Sequence, residues 1–325
     1  IFVGKNSGKR NRQKVRIFLS HYLSTGFRFT QHLLIYSFNH LFIFYQQIFS
    51  MTKSVEITKA YYDSKEVDEF YHKIWGGEDI HIGTYISGDE SIEEASRQTI
   101  LKMLKQLPTI KKGHRILDLG AGYGGAARFL AQEYNCRVDC LNLSEIQNKR
   151  NIEKTKAAEL EKYISITAGN FEQIPFDRET YDIVWSQDAL LHSNDKVKIF
   201  REVARVLKPE GRFIFTDPMQ SKDCPADVLK EALERLHLED LGSVNEYKSL
   251  ANRADLEQVL IKRMPEQLTK HYAMVLKKLK QHEKTAKKSN RAFLKKTMTG
   301  IEKSIEMGEK GYLTWGILQF QKRNE

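Results

Sequence analysis

The sequence predicts an α/β protein built on a doubly wound, seven-stranded, mostly parallel sheet, with a helical arm before the sheet and a helical insertion near its end. Three observations predict it. From residue 113 onward, short apolar runs alternate with amphipathic stretches of helical period. A glycine-rich turn joins the first of these runs to the helix that follows it. A last apolar run, Gly311–Gln321, comes after a long helical stretch and therefore adds a late strand.

The central part of the chain supplies the alternating elements. Strands are predicted at residues 115–119, 136–142, 164–168, 181–187 and 211–217, and helices at 124–134, 145–161 and 194–207. The turn Lys208-Pro209-Glu210-Gly211 leads from the last of these helices into a strand. Because alternating strands and helices build parallel sheets, we expect ligands to bind at the carboxyl ends of the strands.

The C-terminal part is predicted to be mostly helical over residues 222–310. It contains a short strand, Leu256–Lys262, and two helices, Leu268–Thr285 and Asn290–Met307. The final strand is expected to pair antiparallel beside strand 256–262, so that residues of about 264–310 form a helical insertion between the two. A lysine-rich stretch over residues 277–288 is interpreted as a solvated helix face.

Residues 51–112 are predicted to form an N-terminal helical arm, or lid, ahead of the core at 113–325. Aromatic residues fit two adjoining helix faces, at positions 61, 62, 70, 71 and 75. These helices break near Asp63-Ser64 and stop at Gly76-Gly77. The stretch Ser91–Leu107 has a clear amphipathic period and ends at Pro108.

Residues 1–50 differ from the rest, with seven Lys and Arg residues and no Asp or Glu. We expect a disordered or loosely helical tail. It is either a transit segment, which would direct the protein to an organelle, or translated upstream sequence before a start at Met51, which would leave the protein cytoplasmic. The apolar run Leu33–Phe49 is interrupted by polar residues, so no membrane span is expected.

Charge and cysteine content narrow the classes of function. The net charge of +10 comes mainly from the first 50 residues, because the remaining chain carries 45 basic and 42 acidic residues. Nucleic-acid binding is therefore not expected. Three cysteines, Cys136, Cys140 and Cys224, have the spacing of neither a disulfide framework nor a metal site, so reduced thiols and no metal are expected.

The stretch Arg115–Ala131 reads as strand, glycine turn and helix, a combination that brings backbone amides close to a ligand. Its glycines also fit the dinucleotide-binding pattern, which alone is a weak signal. Asp118, two residues before the first glycine, distinguishes the two. A carboxylate there favours a cationic ligand over a pyrophosphate.

This D-x-G-x-G pattern resembles the S-adenosylmethionine (SAM) site of class I methyltransferases, which have a Rossmann-like fold. The resemblance implies SAM as cofactor, with different strand ends meeting its parts. The methionine end would meet Asp118, Gly120, Gly122 and Gly124, the ribose Asn142 and Gln147, the adenine Leu143, Asn170 and Phe171, and the sulfonium Gln187.

A narrower resemblance covers the chain from about Val55 to its end. The arm segment Trp75–Tyr85, with Cys140–Ser144, Gln187-Asp188-Ala189, Thr216–Met219 and Leu268–Tyr272, resembles the sarcosine/dimethylglycine N-methyltransferases. That family implies methyl transfer from SAM to sarcosine and then to dimethylglycine, giving glycine betaine. The implied partner is a small-molecule amine, and a homodimer is plausible from the resemblance and the long insertion.

Candidate acceptor residues follow from the charge of the product, since aromatic faces stabilise a quaternary ammonium. An aromatic wall is predicted from Tyr61, Tyr62, Trp75, Tyr85 and Tyr272. Donors to the substrate carboxylate are sought among His81, His192, His271 and Gln187. His192 is the candidate general base, although an amine that arrives uncharged needs none. Tyr61 and His81 complete the predicted catalytic set.

Other functions stay open at this point. Sister reactions would methylate another small amine, such as phosphoethanolamine, or a lipid or sterol carbon. A different class is an inactive methyltransferase-fold module that acts by binding a partner, and a dinucleotide oxidoreductase is a fourth reading. Binding of SAM or of NADH distinguishes these classes.

Overall fold

A single seven-stranded sheet runs through the computed structural model, which describes residues 55–225, 228–230, 233, 238, 240–284 and 290–324. The expectations for residues 1–50 and the helix end at Thr285 lie outside these residues. The strand order is β3-β2-β1-β4-β5-β7-β6. The strands are β1 Arg115–Leu119, β2 Arg137–Asn142, β3 Ile164–Ala168, β4 Tyr181–Gln187, β5 Leu207–Gln220, β6 Leu256–Arg263 and β7 Leu313–Lys322.

The pairing confirms the predicted fold class. Strands β1 to β5 pair in parallel, and β7 pairs antiparallel with both β5 and β6. The strand order reverses on either side of β1, between β2 and β4. This reversal opens a crevice at the carboxyl ends of these strands, where ligands of open α/β sheets bind.

Helices cover both faces of the sheet and form the arm. Residues 55–62 are helical. The other helices are α1 Lys65–Phe70, α2 Ile92–Leu104, α3 Gly125–Tyr134, α4 Glu145–Ala157, α5 Lys196–Val206, α6 Val244–Arg253, α7 Pro265–Glu283 and α8 Arg291–Glu309. A π-helical turn spans Tyr71–Trp75 and a 3₁₀ turn spans Leu190–His192. The arm, α7 and α8 pack on one face of the sheet, and α5 and α6 pack on the other.

Three of the differences between predicted and observed boundaries have local reasons. The predicted turn at 208–211 lies inside β5 as an irregularity, because pairing with β4 passes from Leu207 directly to Arg212 while Glu210 adopts a positive φ of 61°. Helix α4 ends at Ala157, before Glu159 at φ 57°. Helix α7 begins three residues early, at Pro265, since proline suits the first helical turn.

Candidate active site

A cleft of about 710 Å³, open to solvent, lies at the carboxyl ends of β1, β2 and β4. Of the residues predicted to bind the cofactor, those that line it are Gly120, Asn142, Leu143, Gln147, Asn170, Phe171 and Gln187. Tyr62 and His192 from the predicted acceptor side line it too. The remaining lining residues, which the sequence analysis gave no role, are Val55, Thr58, Lys59, Ile80, Ser144, Gly169, Glu172, Asp188 and Ala189.

The glycine turn after β1 is shaped by close contacts. Gly120, Gly122 and Gly124 all have positive φ, at 73°, 53° and 75°. A Cβ on Gly120 would lie 2.4 Å from the Cβ of Ala189, so only glycine lets this turn approach the loop after β4. Gly122 and Gly124 do not line the cleft. Ile80 of the arm covers Gly122, and Asn151 of α4 covers Gly124.

An amide pair stands at the end of β2. Ser144 caps α4 by accepting from the backbone N–H of Gln147 at 3.2 Å. This fixes Gln147 so that its Oε1 accepts from Nδ2 of Asn142 at 3.1 Å. Among the described residues, no hydrogen bond is formed by Asn142 Oδ1 or Gln147 Nε2. The pair therefore presents one acceptor and one donor to the cleft, as a ribose diol requires.

The loop after β3 provides a flat apolar surface. Phe171 and Leu143 both line the cleft. Asn170 Oδ1 accepts from the backbone N–H of Glu172 at 2.9 Å, which shapes the loop. This oxygen, expected to accept from an adenine amine, thus already holds one hydrogen bond.

Asp118 is buried behind the glycine turn and does not line the cleft. Burial and the nearby charge of Asp79 raise its pKa to about 7, although His81 and Arg128 partly oppose the shift. Asp79 comes from the arm and lies so close to Gly125 that a Cβ there would be 2.2 Å from its Oδ1. The arm therefore brings a second carboxylate to the site predicted to meet the methionine end.

Ion pairs hold the arm to the core. Glu78 accepts from Arg128 Nε at 2.9 Å and from Lys154 Nζ at 2.6 Å. Asp68 accepts from Arg150 Nε at 2.7 Å. Because Arg128 is buried, the Glu78 pair is shielded from solvent more than an ordinary surface pair.

A tyrosine–histidine pair joins the arm to the loop after β4. The Tyr62 hydroxyl lies 2.6 Å from His192 Nε2, and the rings meet edge to face at 5.2 Å. Tyr61 packs edge-on against Tyr62 at 5.0 Å but does not line the cleft. The structure thus brings the candidate base into the cleft with a hydroxyl group bound to it.

Asp188 is a site residue that the sequence analysis quoted but did not assign. It lines the cleft with φ 51°, a conformation that is uncommon for a residue other than glycine. Its carboxylate accepts from Ile82 N at 2.6 Å and from Trp315 Nε1 at 2.7 Å. Burial raises its pKa, against the opposing effect of His81 and these donors. Its position at the end of β4, next to the predicted cofactor residue Gln187, could have identified it from the sequence.

The remaining predicted acceptor residues form a buried aromatic group behind the cleft: Trp75, His81, Tyr85, His271 and Tyr272. None of them lines the cleft. Trp75 donates to the carbonyl of His81 at 3.2 Å and lies against the His271 ring at a centroid distance of 4.9 Å. Two cleft residues adjoin this group: Ile80 precedes His81 in sequence, and Asp188 accepts from the backbone N–H of Ile82.

Two absences concern only the described part of the chain. Within it, no helix has the length and apolar character needed to cross a bilayer. No three His, Cys, Asp or Glu side chains in the same residues are grouped so that they would hold a metal ion.

Known proteins resemble this chain over most of its length. A family model described as a methyltransferase domain matches residues 117–215. The sarcosine/dimethylglycine N-methyltransferase of Aphanothece halophytica is 42% identical over 276 residues, which is 84% of this chain and 100% of that protein. Its namesake from Halorhodospira halochloris is 41% identical and covers 83% of this chain and 97% of its own.

Solved structures agree with the sequence comparison. A proposed sarcosine dimethylglycine methyltransferase from Galdieria sulphuraria superposes with a TM-score of 0.74 at 40% identity, over 79% of this chain and 98% of that one. Identity of 40–42% over 97–100% of these relatives shows that the chain and the relatives belong to one family. The strand order and pairing are those of the class I methyltransferase fold. The chain belongs to the family of sarcosine/dimethylglycine N-methyltransferases.

Proposed function

We propose that the protein transfers methyl groups from S-adenosylmethionine to sarcosine and to dimethylglycine, and so produces glycine betaine. Family membership and the methyltransferase domain support the reaction type. The names of the relatives at 41–42% identity support these acceptors. The observation that carries the proposal is that one cleft joins a cofactor surface to the Tyr62–His192 pair.

The cofactor surface fits SAM in its chemistry. The Asn142–Gln147 amide pair suits a ribose diol, and the apolar faces of Leu143 and Phe171 suit a purine. Asp118 supplies a carboxylate on the side of the glycine turn. When bound, SAM supplies a methyl group on a positively charged sulfur.

The acceptor end of the cleft handles a proton and a charge. An N-methylated glycine enters mainly as an ammonium, which must lose its proton before nitrogen can bond to the methyl carbon as the carbon–sulfur bond breaks. We assign proton acceptance to His192, whose Nε2 is bound to the Tyr62 hydroxyl. Asp188, at the same end, places a carboxylate near the nitrogen that becomes a quaternary cation.

The cleft argues against a phosphate-bearing amine as the acceptor. Among the described residues that line it, Lys59 is the one Lys or Arg side chain. This ammonium already pairs with Asp63 at 2.7 Å and with Glu145 at 3.0 Å. A dianionic phosphate would therefore enter with little charge compensation.

Parallel incubations with SAM test the proposal, with glycine, sarcosine, dimethylglycine and phosphoethanolamine as acceptors and products identified by mass. We expect one and then a second added methyl on sarcosine and one on dimethylglycine, with betaine accumulating, and no product from glycine or phosphoethanolamine. Calorimetry with SAM and with NADH accompanies it. Absence of SAM binding would exclude the enzyme, and NADH binding alone would favour an oxidoreductase. The expected homodimer stays a prediction that light scattering tests.

A further inference from the structure

Two imidazole nitrogens in the buried aromatic group have no hydrogen-bond partner among the described residues. They are Nε2 of His81 and Nε2 of His271. The two residues are 4% and 0% exposed. Because buried polar atoms are nearly always paired, two exceptions in one group point to a ligand that pairs with them.

The contacts of His271 show which hydrogen atom it offers. Its Nδ1 accepts from the backbone N–H of Gly83 at 3.0 Å and lies 3.2 Å from the Tyr85 hydroxyl. A nitrogen that accepts from an amide carries no proton, so the proton of the neutral ring lies on Nε2. Burial and the charge of His81 lower the pKa of His271 to about 3, which keeps the ring neutral. His271 therefore offers one N–H donor at Nε2.

His81 stands beside this donor, and because its Nδ1 faces the carbonyl of Ile82, its Nε2 is a second donor when the ring is protonated. Burial opposes ionisation of its ring, but Asp79 and Asp188 outweigh burial and raise its pKa above 6.5. Its Nε2 lies 3.7 Å from Asp79 Oδ1, too far for a hydrogen bond, while Nδ1 lies 3.2 Å from the carbonyl of Ile82. The Nε2–H of His271, joined by the Nε2–H of His81 when that ring is protonated, suits one carboxylate.

The two rings are held firmly. Besides the Trp75 contacts, Thr99 of α2 donates to the carbonyl of Ile82 at 2.9 Å. The backbone N–H of Tyr85 donates to Gln267 of α7 at 2.7 Å. Segment 81–85 is thus bound to two helices, so the donors keep their positions without a ligand.

The position of the pair suits an acceptor that carries its amine and its carboxylate on the same carbon atom. His81 directly follows Ile80, a cleft residue, and the next backbone amide, of Ile82, binds Asp188, another cleft residue. Segment 80–82 and Asp188 thus connect the pair to the part of the cleft where the acceptor nitrogen is proposed to react. A carboxylate one carbon away from that nitrogen must be received close by.

We infer that His81 and His271 bind the carboxylate of the acceptor and so select N-methylated glycines over amines that lack a carboxylate. This inference rests on the proposed function for the identity of the acceptor. It gives a role to two buried imidazole nitrogens that have no hydrogen-bond partner among the described residues and that the proton transfer at His192 does not use.

His271→Asn is the test variant, because the asparagine oxygen retains an acceptor for the Gly83 amide while Nε2 is removed. His271→Gln is the rescue variant, since its amide nitrogen replaces Nε2. His114→Asn is the matched control, as its Nδ1 also accepts from a backbone amide, that of Lys111 at 3.4 Å, outside the cleft.

The measurements are KM and kcat with dimethylglycine and with 2-(dimethylamino)ethanol, and calorimetric binding of dimethylglycine to protein saturated with S-adenosylhomocysteine. We expect His271→Asn to weaken dimethylglycine binding about 10- to 100-fold, the usual range for a buried hydrogen bond to a charged group. The alcohol and SAM should bind as to the wild type, and His271→Gln should recover part of the loss.

The outcomes distinguish failure of the inference from failure of the proposed function. If the wild type methylates dimethylglycine and His271→Asn binds it unchanged, the inference is wrong and the proposed function stands. If the wild type methylates neither acceptor but binds dimethylglycine in a way that His271→Asn abolishes, the carboxylate site stands and the proposed function fails. No binding of dimethylglycine to the wild type overturns both.

Discussion

Asp118→Asn should stabilise the ligand-free protein while weakening its hold on the cofactor. The carboxyl is 3% exposed and its pKa is raised to about 7, by burial first and by the charge of Asp79 second. Ionising this group in the folded protein is therefore unfavourable. Asparagine has the same shape and removes the charge, so it removes that cost.

The size of the effect follows from the pKa. A shift from 3.8 to about 7 is equivalent to about 4 kcal/mol of folding free energy. Because the pKa is higher in the folded protein, the folded state binds more protons than the unfolded state between pH 3.8 and about pH 7. The free energy of unfolding therefore decreases as pH rises through this range. The cost of ionising Asp118 is therefore absent below about pH 4 and grows as pH rises. Above about pH 7 it has its full size, and the wild type has lost that amount of folding free energy.

The assay is urea denaturation of both proteins from pH 4 to pH 8, without ligand and with saturating SAM. Without ligand, the two free energies of unfolding should be similar at pH 4, and the variant should be more stable by up to about 4 kcal/mol at pH 8. With SAM the difference should shrink or reverse, because the proposed position of the cofactor's ammonium on the side of the glycine turn favours the ionised carboxylate. A variant that is less stable at pH 8, with no trend in pH, would refute the reasoning.

Three further substitutions test other parts of the site. Gly120→Ala should lower the free energy of unfolding by about 2–5 kcal/mol, from crowding and backbone strain together, whereas Gly113→Ala, at φ 89° with no atom within 4 Å of its Cβ, should cost only about 1–2 kcal/mol. Equal losses in urea denaturation would contradict the close contact. Tyr62→Phe should lower kcat about 10- to 100-fold with little change in SAM affinity, while Tyr163→Phe, which removes the hydroxyl of a half-buried tyrosine outside the cleft, leaves kcat unchanged. An unchanged kcat in both variants would remove Tyr62 from proton transfer. Glu78→Gln should lower the free energy of unfolding by about 1–2 kcal/mol, because it leaves a buried guanidinium with weaker pairing. A loss too small to measure would show that this pair does not hold the arm.

The cofactor side of the cleft could be predicted because its residues are local to strand ends. Asn142 and Gln147 lie at or after the end of β2, and Phe171 follows β3. The alternation of apolar runs and amphipathic stretches predicts these strands, and the carboxyl ends of parallel strands meet at one edge of the sheet. The three residues are therefore expected to lie close together, and they line the same cleft. Asp118 belongs to the same local pattern, but its burial under the arm could not be read from the sequence, since that depends on Asp79 arriving from another segment.

The acceptor side was less accessible to sequence reasoning. Aromatic residues of the arm suggested a wall facing the acceptor, yet the structure places Trp75 and Tyr85 in the interior behind the cleft. The decisive contact there joins Gly83 to His271, which lie 188 residues apart. No local periodicity encodes such a contact, and only the folded chain shows which imidazole nitrogens have partners.

Direct transfer of a methyl group within the cleft is the central claim, and trideuterated SAM tests it most directly. Dimethylglycine is incubated with wild-type protein and with SAM whose transferable methyl carries three deuterium atoms, and the product is analysed by mass spectrometry. We expect glycine betaine that carries one intact trideuterated methyl group. Undeuterated dimethylglycine recovered unchanged, from protein to which calorimetry shows SAM binding, would contradict it.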